Sequence, residues 1–276
     1  MVGPIPQGVK AKAQRMRPPA LLSSAPVAIM ALNHDSHGRT AMPVRWDQVT
    51  VDDSPMWCHL HVPVGAGPFP GVVVIMHAPG VDGFIQGICE RLALAGYAAI
   101  APDLYHRESE EQAKDPPLQR MARLRDDQIA RDVNAALEHL RSLKEVDRER
   151  VAIMGFCMGG RVAFMMACLN PTFRACVDFY GGNKMVAWGE GPAPFELAAQ
   201  LACPLLGLYG EEDANPSPAD VAKLDAELTR LGKQHEFHSY PGAGHAFMNE
   251  GRPSYRPEAA QDAWRRALEF LSRHLR

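Results

Sequence analysis

The segment Val151-Ala-Ile-Met-Gly-Phe-Cys-Met-Gly-Gly-Arg-Val-Ala-Phe164 constrains this chain more than any other. Its first four residues read as a short buried strand, and the apolar run from about Met158 reads as a helix. Only the turn Gly155-Phe156-Cys157-Met158-Gly159 is left to join them. That turn is the pattern G-x-S-x-G with cysteine in the serine position. Between a strand and a helix, such a turn lifts its central side chain on a strained backbone. The residues two before and two after must therefore lack side-chain bulk, and Gly155 and Gly159 meet that need. The Cys157 thiol would stand at a helix N-terminus, where the positive dipole end favours thiolate. The plain alternative is a core cysteine whose glycines serve helix–strand packing, so the rest of the chain must decide.

Regular structure begins at Val44. Residues 49–51 and 57–62 read as antiparallel strands around the turn-like Asp52-Asp-Ser-Pro55. The continuous β-branched run at 71–76 marks a strand buried on both faces. Further strands are expected at 97–100, 174–180, 204–209 and 235–240. Helices are expected at 84–95, 158–169, from the Ser217-Pro218 start to 231, and at 257–275. A single long amphipathic helix is expected over 118–143, with Ile129, Val133, Ala136, Leu137 and Leu140 on one face. A lid-like loop runs through Trp188 and Pro194. This alternation argues one α/β domain over residues 44–276, with a mostly parallel central sheet covered by helices on both faces. Residues 1–43 differ. Lys10, Lys12, Arg15 and Arg17 precede any acid, and no clean periodicity is present. They are expected to be an irregular leader outside the fold, disordered or upstream of a true start at Met42. A targeting peptide is opposed by Pro26 and by the lack of a cleavage signal.

The net charge of −3 carries no basic excess, so nucleic acid and anionic membranes are not expected partners. No apolar run is long enough to span a bilayer. Cys58, Cys89, Cys157, Cys168, Cys176 and Cys203 are scattered without a C-x-x-C pair, which is neither a zinc framework nor a disulfide scaffold. A reducing, cytoplasmic protein is the simplest expectation, as a monomer or small homo-oligomer that needs no cofactor or metal.

Catalytic groups of such a sheet gather at the carboxyl ends of its strands. After the strand at 204–209 comes Gly210-Glu-Glu-Asp213, and after the strand at 235–240 comes Pro241-Gly-Ala-Gly-His245. Nucleophile, acid and histidine thus follow in the order an α/β-hydrolase fold requires. His245 would take the proton of Cys157, and Asp213 would hold the imidazole. Spacing alone leaves Glu211 and Glu212 as rivals of Asp213. The oxyanion needs two backbone donors. Met158 N–H is one, and the loop His77-Ala-Pro-Gly80 offers Ala78 N–H, since Pro79 has none. His59 and His61 share a strand face, but the sequence places no third metal ligand beside them. His106 and Arg107 close a post-strand loop from which a pocket is within reach.

Gly155-Phe-Cys-Met-Gly-Gly160, Ala101-Pro-Asp-Leu-Tyr105, Gly210-Glu-Glu-Asp213 and Gly244-His-Ala-Phe247 together resemble the dienelactone hydrolase family, over about residues 44–276. The resemblance implies an α/β-hydrolase fold and a carboxylic ester hydrolase of the carboxymethylenebutenolidase type. It also implies a Cys157, Asp213, His245 triad and favours Asp213 over its neighbours. The well-known members place a glutamate after the first buried strand, where this chain has His77, and a substrate-binding arginine where it has Asn249. The triad transfers, whereas dienelactone specificity does not. His77 would bond near the thiol or anchor the oxyanion loop. Arg107, Arg120 and Arg123 are candidates for a replacement anion site, and His77, Arg107, Tyr180 and Asn249 are the candidate substrate contacts. The expected function is cofactor-independent hydrolysis of small esters or lactones through an acyl-cysteine. The competing readings are a non-catalytic or redox-sensing binding protein on the same fold, and a thioesterase or peptidase on the same triad.

Overall fold

The β-branched and apolar runs settle side by side because each needs apolar neighbours on both faces. In the computed structural model, which describes residues 44–275, they form the middle of an eight-stranded sheet. The leader expected at residues 1–43 lies outside the described residues. The strands are β1 (Val44–Val51), β2 (Ser54–His61), β3 (Phe69–Ile75), β4 (Ala98–Pro102), β5 (Val146–Phe156), β6 (Cys176–Phe179), β7 (Leu205–Gly210) and β8 (His235–Tyr240). Their order is β1-β2-β4-β3-β5-β6-β7-β8. β1–β2 and β2–β4 pair antiparallel, and every later pair is parallel. Val72 through Ile75 and Val151 through Met154 are fully buried. Each such Val or Ile contributes roughly 1.5–3 kcal/mol of burial free energy.

Helices α1 (Gly83–Leu94), α3 (Asp126–Ser142), α4 (Met158–Leu169), α5 (Pro218–Arg230) and α6 (Pro257–Leu275) cover the sheet, and the short α2 (Pro117–Met121) buries no residue. In α4 every residue from Met158 to Cys168 is buried, as befits a helix apolar all round. The single helix expected over 118–143 is instead two. Ile129, Val133, Ala136, Leu137 and Leu140 are buried along α3 as expected. However, Arg125 is extended (φ −126°, ψ 132°), and the chain breaks there. Asp126 explains the break. Its carboxylate takes both Arg161 Nη atoms, at 2.6 and 2.9 Å, and the Trp188 N–H at 2.7 Å. Three strong charge-assisted bonds outweigh the continuation of one helix. They also pin the stretch expected to be lid-like, since Arg161 donates to the carbonyls of Asn183 and Val186 and stacks on Trp188 at 4.0 Å.

The elbow has the geometry its glycines foretold. Cys157 sits at φ 59°, ψ −122°, a backbone state that costs a non-glycine residue on the order of 1–3 kcal/mol. A Cβ on Gly155 would lie 1.9 Å from Gly159 O, and one on Gly159 would lie 2.4 Å from Ile75 O. Cys157 N–H donates to Phe179 O at 3.0 Å, which ties the strained residue to β6.

Candidate active site

Cys157 leaves β5 and enters α4 at the carboxyl end of the sheet, where the segments after β7 and β8 also arrive. After β7, Glu211 N–H donates to Tyr240 O and Glu212 N–H to Ala243 O, and both glutamate side chains are exposed. Asp213 turns inward and is only 4% exposed. Its Oδ2 lies 2.8 Å from His245 Nδ1, and its Oδ1 accepts Asn215 N–H at 2.8 Å. Of the three acids at this turn, Asp213 is the one the structure brings to the histidine. Cys157 lies close enough to the His245 ring to raise the imidazole's pKa as well.

His245 is held by three contacts. Burial alone would lower its pKa. The Asp213 carboxylate and the Cys157 sulfur more than offset that and push it up to about 10. The Tyr180 ring meets the imidazole edge-on, with centroids 5.2 Å apart. Tyr180 itself is buried at φ 43° and packs on Phe247. It is therefore a floor beneath His245 rather than part of the cleft lining.

The loop proposed to complete an oxyanion site follows β3. Its turn is closed by Gly80 N–H donating to His77 O at 2.8 Å. His77 Nε2 stands 2.9 Å from Asp82 Oδ1, and Asp82 caps α1 by accepting from Phe84 and Ile85 N–H. His77 thus sits between this loop and the start of α1. Tyr105, quoted in the sequence motif without a role, donates its hydroxyl to Ala78 O at 2.8 Å and lies 3.8 Å from Met158 Sδ. It links the two residues whose N–H groups are the oxyanion candidates.

A cleft of about 440 Å³ opens beside Cys157 and His245. Leu118, Met121, Met158, Asn183, Glu212 and Asn215 are among its lining residues. Sequence reasoning missed Leu118 and Met121, because a continuous helix would have carried them away from the elbow. Asn183 and Asn215 join their loops through Asn215 Nδ2 to Asn183 Oδ1 at 3.0 Å and Asn183 N–H to Asn215 Oδ1 at 3.0 Å.

The other candidate substrate contacts lie elsewhere. Arg107 forks onto Asp132 at 2.6 and 2.8 Å and reaches Asp52 at 2.9 Å. His106 bridges Ser54 Oγ at 2.9 Å and Asp132 Oδ1 at 3.2 Å. That group clamps the β1–β2 turn to α3, which corrects the expectation that Arg107 faces the cleft. Asn249 accepts Gly251 N–H at 2.9 Å and lines a separate cavity with Phe84 and Arg91. His59 and His61 are buried with ring centroids 4.8 Å apart. Burial lowers both pKa values, His59 to about 4. Among the described residues no cluster of three or more His, Cys, Asp or Glu is placed to hold a metal. No described helix is long and apolar enough to cross a membrane.

Residues 57–275 match the profile of the dienelactone hydrolase family. A Methylorubrum extorquens protein named "Putative carboxymethylenebutenolidase" is 33% identical over 261 residues, covering 92% of this chain and 88% of that one. A Bradyrhizobium protein named "Probable 2-oxo-3-(5-oxofuran-2-ylidene)propanoate lactonase" is 33% identical, over 83% of this chain and 94% of its own. Among solved structures, a "Putative Dienelactone Hydrolase" from Klebsiella pneumoniae superposes with a TM-score of 0.76 at 32% identity, covering 84% of this chain and 99% of that one.

Proposed function

The chain belongs to the dienelactone hydrolase family and is a hydrolase of small molecules, and from that premise we propose that it cleaves small esters or lactones through an acyl-cysteine on Cys157. The observation that carries the proposal is the imidazole of His245 set between the Cys157 sulfur and the buried Asp213 carboxylate. The name of the Bradyrhizobium relative supports lactones within that class.

The reaction follows from the charges. His245 takes the Cys157 proton, and the resulting imidazolium is stabilised by Asp213. The thiolate attacks the carbonyl carbon, and the oxyanion meets the N–H groups of Met158 and Ala78. Collapse expels an alkoxide, which takes the proton from His245, and leaves a thioester on Cys157. Acylation also removes the sulfur's charge, one of the two influences that raise the imidazole's pKa. His245 can then act as a base, deprotonating the water that attacks the thioester. Cys157 departs as thiolate. In a lactone the departing alkoxide stays tethered to the acyl group throughout, and the second step releases a single hydroxy acid.

The test is kinetic. Cys157→Ala should lose on the order of 10³-fold or more in kcat on an activated aryl ester or a simple lactone, with the melting temperature retained. Full activity in that variant would remove Cys157 from the reaction.

A further inference from the structure

We propose that the cleft selects neutral, apolar esters or lactones over carboxylate-bearing ones, and that Leu118 sets this preference. The inference rests on the hydrolytic reading of Cys157 above.

Leu118 is 68% exposed, an unusual state for a leucine at the mouth of a cleft that holds a nucleophile. With Met121 and Met158 it forms an apolar wall beside Cys157. An apolar substituent laid against that wall covers surface that is otherwise wet. The break at Arg125 brings this wall to the elbow, and two guanidiniums from the same stretch hold it in place. Arg120 Nε binds Glu108 Oε2 at 2.6 Å, and its guanidinium lies 4.0 Å over the Tyr105 ring. Arg123 binds Glu108 Oε1 and Asp115 Oδ2, both at 2.8 Å. These two cations are spent on carboxylates, as Arg107 is on Asp132. None of the three lines the cleft.

The charged groups that do line it point the same way. Cys157 and His245 share one proton between them and add no net charge, while Asp213 and Glu212 add negative charge. Among the described residues no Lys or Arg lines the cleft. A substrate carboxylate entering here would give up water, gain no Lys or Arg partner, and meet like charge. The names of the relatives describe lactones that carry carboxylates, whereas this cleft is built for a substrate without one.

The experiment compares 4-acetoxyphenylacetate with its methyl ester on the full chain. Phenol release is followed, and each kcat/KM is divided by the substrate's own hydroxide rate. The neutral ester should lead by at least ~10-fold, the discrimination expected from roughly one unpaired contact. Leu118→Arg should shrink that ratio several-fold by raising the anion's kcat/KM, and Glu212→Gln should shrink it by a smaller factor. A wild-type ratio at or below one, in an enzyme that cleaves both, would overturn the proposal. So would a ratio that neither variant moves while both stay folded. If neither ester is cleaved, or Cys157→Ala cleaves them as fast, the hydrolytic reading fails and this inference falls with it, an outcome distinct from a flat ratio in an active enzyme.

Discussion

Replacing Asp213 with Asn changes one atom and reverses the logic of the histidine. The carboxylate serves two donors, His245 Nδ1–H through Oδ2 and Asn215 N–H through Oδ1, each at 2.8 Å. The amide has one oxygen. The Asn215 backbone N–H has no freedom to withdraw, so the oxygen turns to it and the NH₂ group faces His245. The imidazole must then present a bare Nδ1 and carry its proton on Nε2, towards Cys157, which is the wrong tautomer for a base. The negative charge that helps raise His245 to about 10 also disappears, while the burial that opposes it remains. The imidazole pKa should therefore fall, with only the Cys157 sulfur left to raise it. The corresponding change in a serine triad costs about 10⁴ in kcat, and a loss on the order of 10³–10⁴ is expected here. The assay is kcat and kcat/KM on an aryl ester across pH 5–10, with Glu211→Gln and Glu212→Gln as controls and melting curves for each. A loss below ~10-fold in Asp213→Asn, or a larger one in Glu211→Gln, would refute this assignment of roles.

Three further outcomes follow from the same structure. Tyr105→Phe removes the hydroxyl that holds Ala78 O, and should lower kcat roughly 10-fold with little change in KM, since the oxyanion contact forms only in the transition state; a change confined to KM would contradict it. Asp126→Ala strands the fully buried Arg161 guanidinium, which should cost about 3–5 kcal/mol and lower Tm by roughly 10 °C by differential scanning calorimetry; an unchanged Tm would contradict the clamp. His59 is held neutral by burial, so its folded pKa of about 4 lies below its ordinary 6.5. That contribution is fully present above about pH 6.5 and is lost as pH falls through about 4, to a total of about 3 kcal/mol. Urea denaturation at pH 7 and pH 4.5 should show the loss, and His59→Phe should remove much of it.

How much of this was legible in the sequence depended on whether a feature is local. The elbow was legible because glycine is the only residue whose missing Cβ admits Gly159 O and Ile75 O at such close approach. The strand ends that carry Asp213 and His245 were legible from Leu205-Leu-Gly-Leu-Tyr209 running into Gly210, and from His235-Glu-Phe-His-Ser-Tyr240 running into Pro241-Gly242. The choice among Glu211, Glu212 and Asp213 was not. It turns on backbone bonds to Tyr240 and Ala243, which face the first two side chains to solvent. The break between α2 and α3 was hidden as well. Helical periodicity continues across it, and only Arg161 and Trp188, far along the chain, make Asp126 worth more as an anchor than as a continuation. Arg107 misled for the same reason, since its post-strand position was visible and its partner Asp132 was not.

The central claim is that the substrate's acyl group passes through Cys157. Its most direct measurement is intact-protein mass spectrometry of acid-quenched enzyme during turnover of a slowly deacylated aryl ester, with peptide mapping of any adduct. One acyl mass per chain on the peptide carrying Cys157, formed within the burst of phenol release and absent in Cys157→Ala, is the predicted result. Turnover with no adduct, or an adduct mapped to another residue, would contradict it.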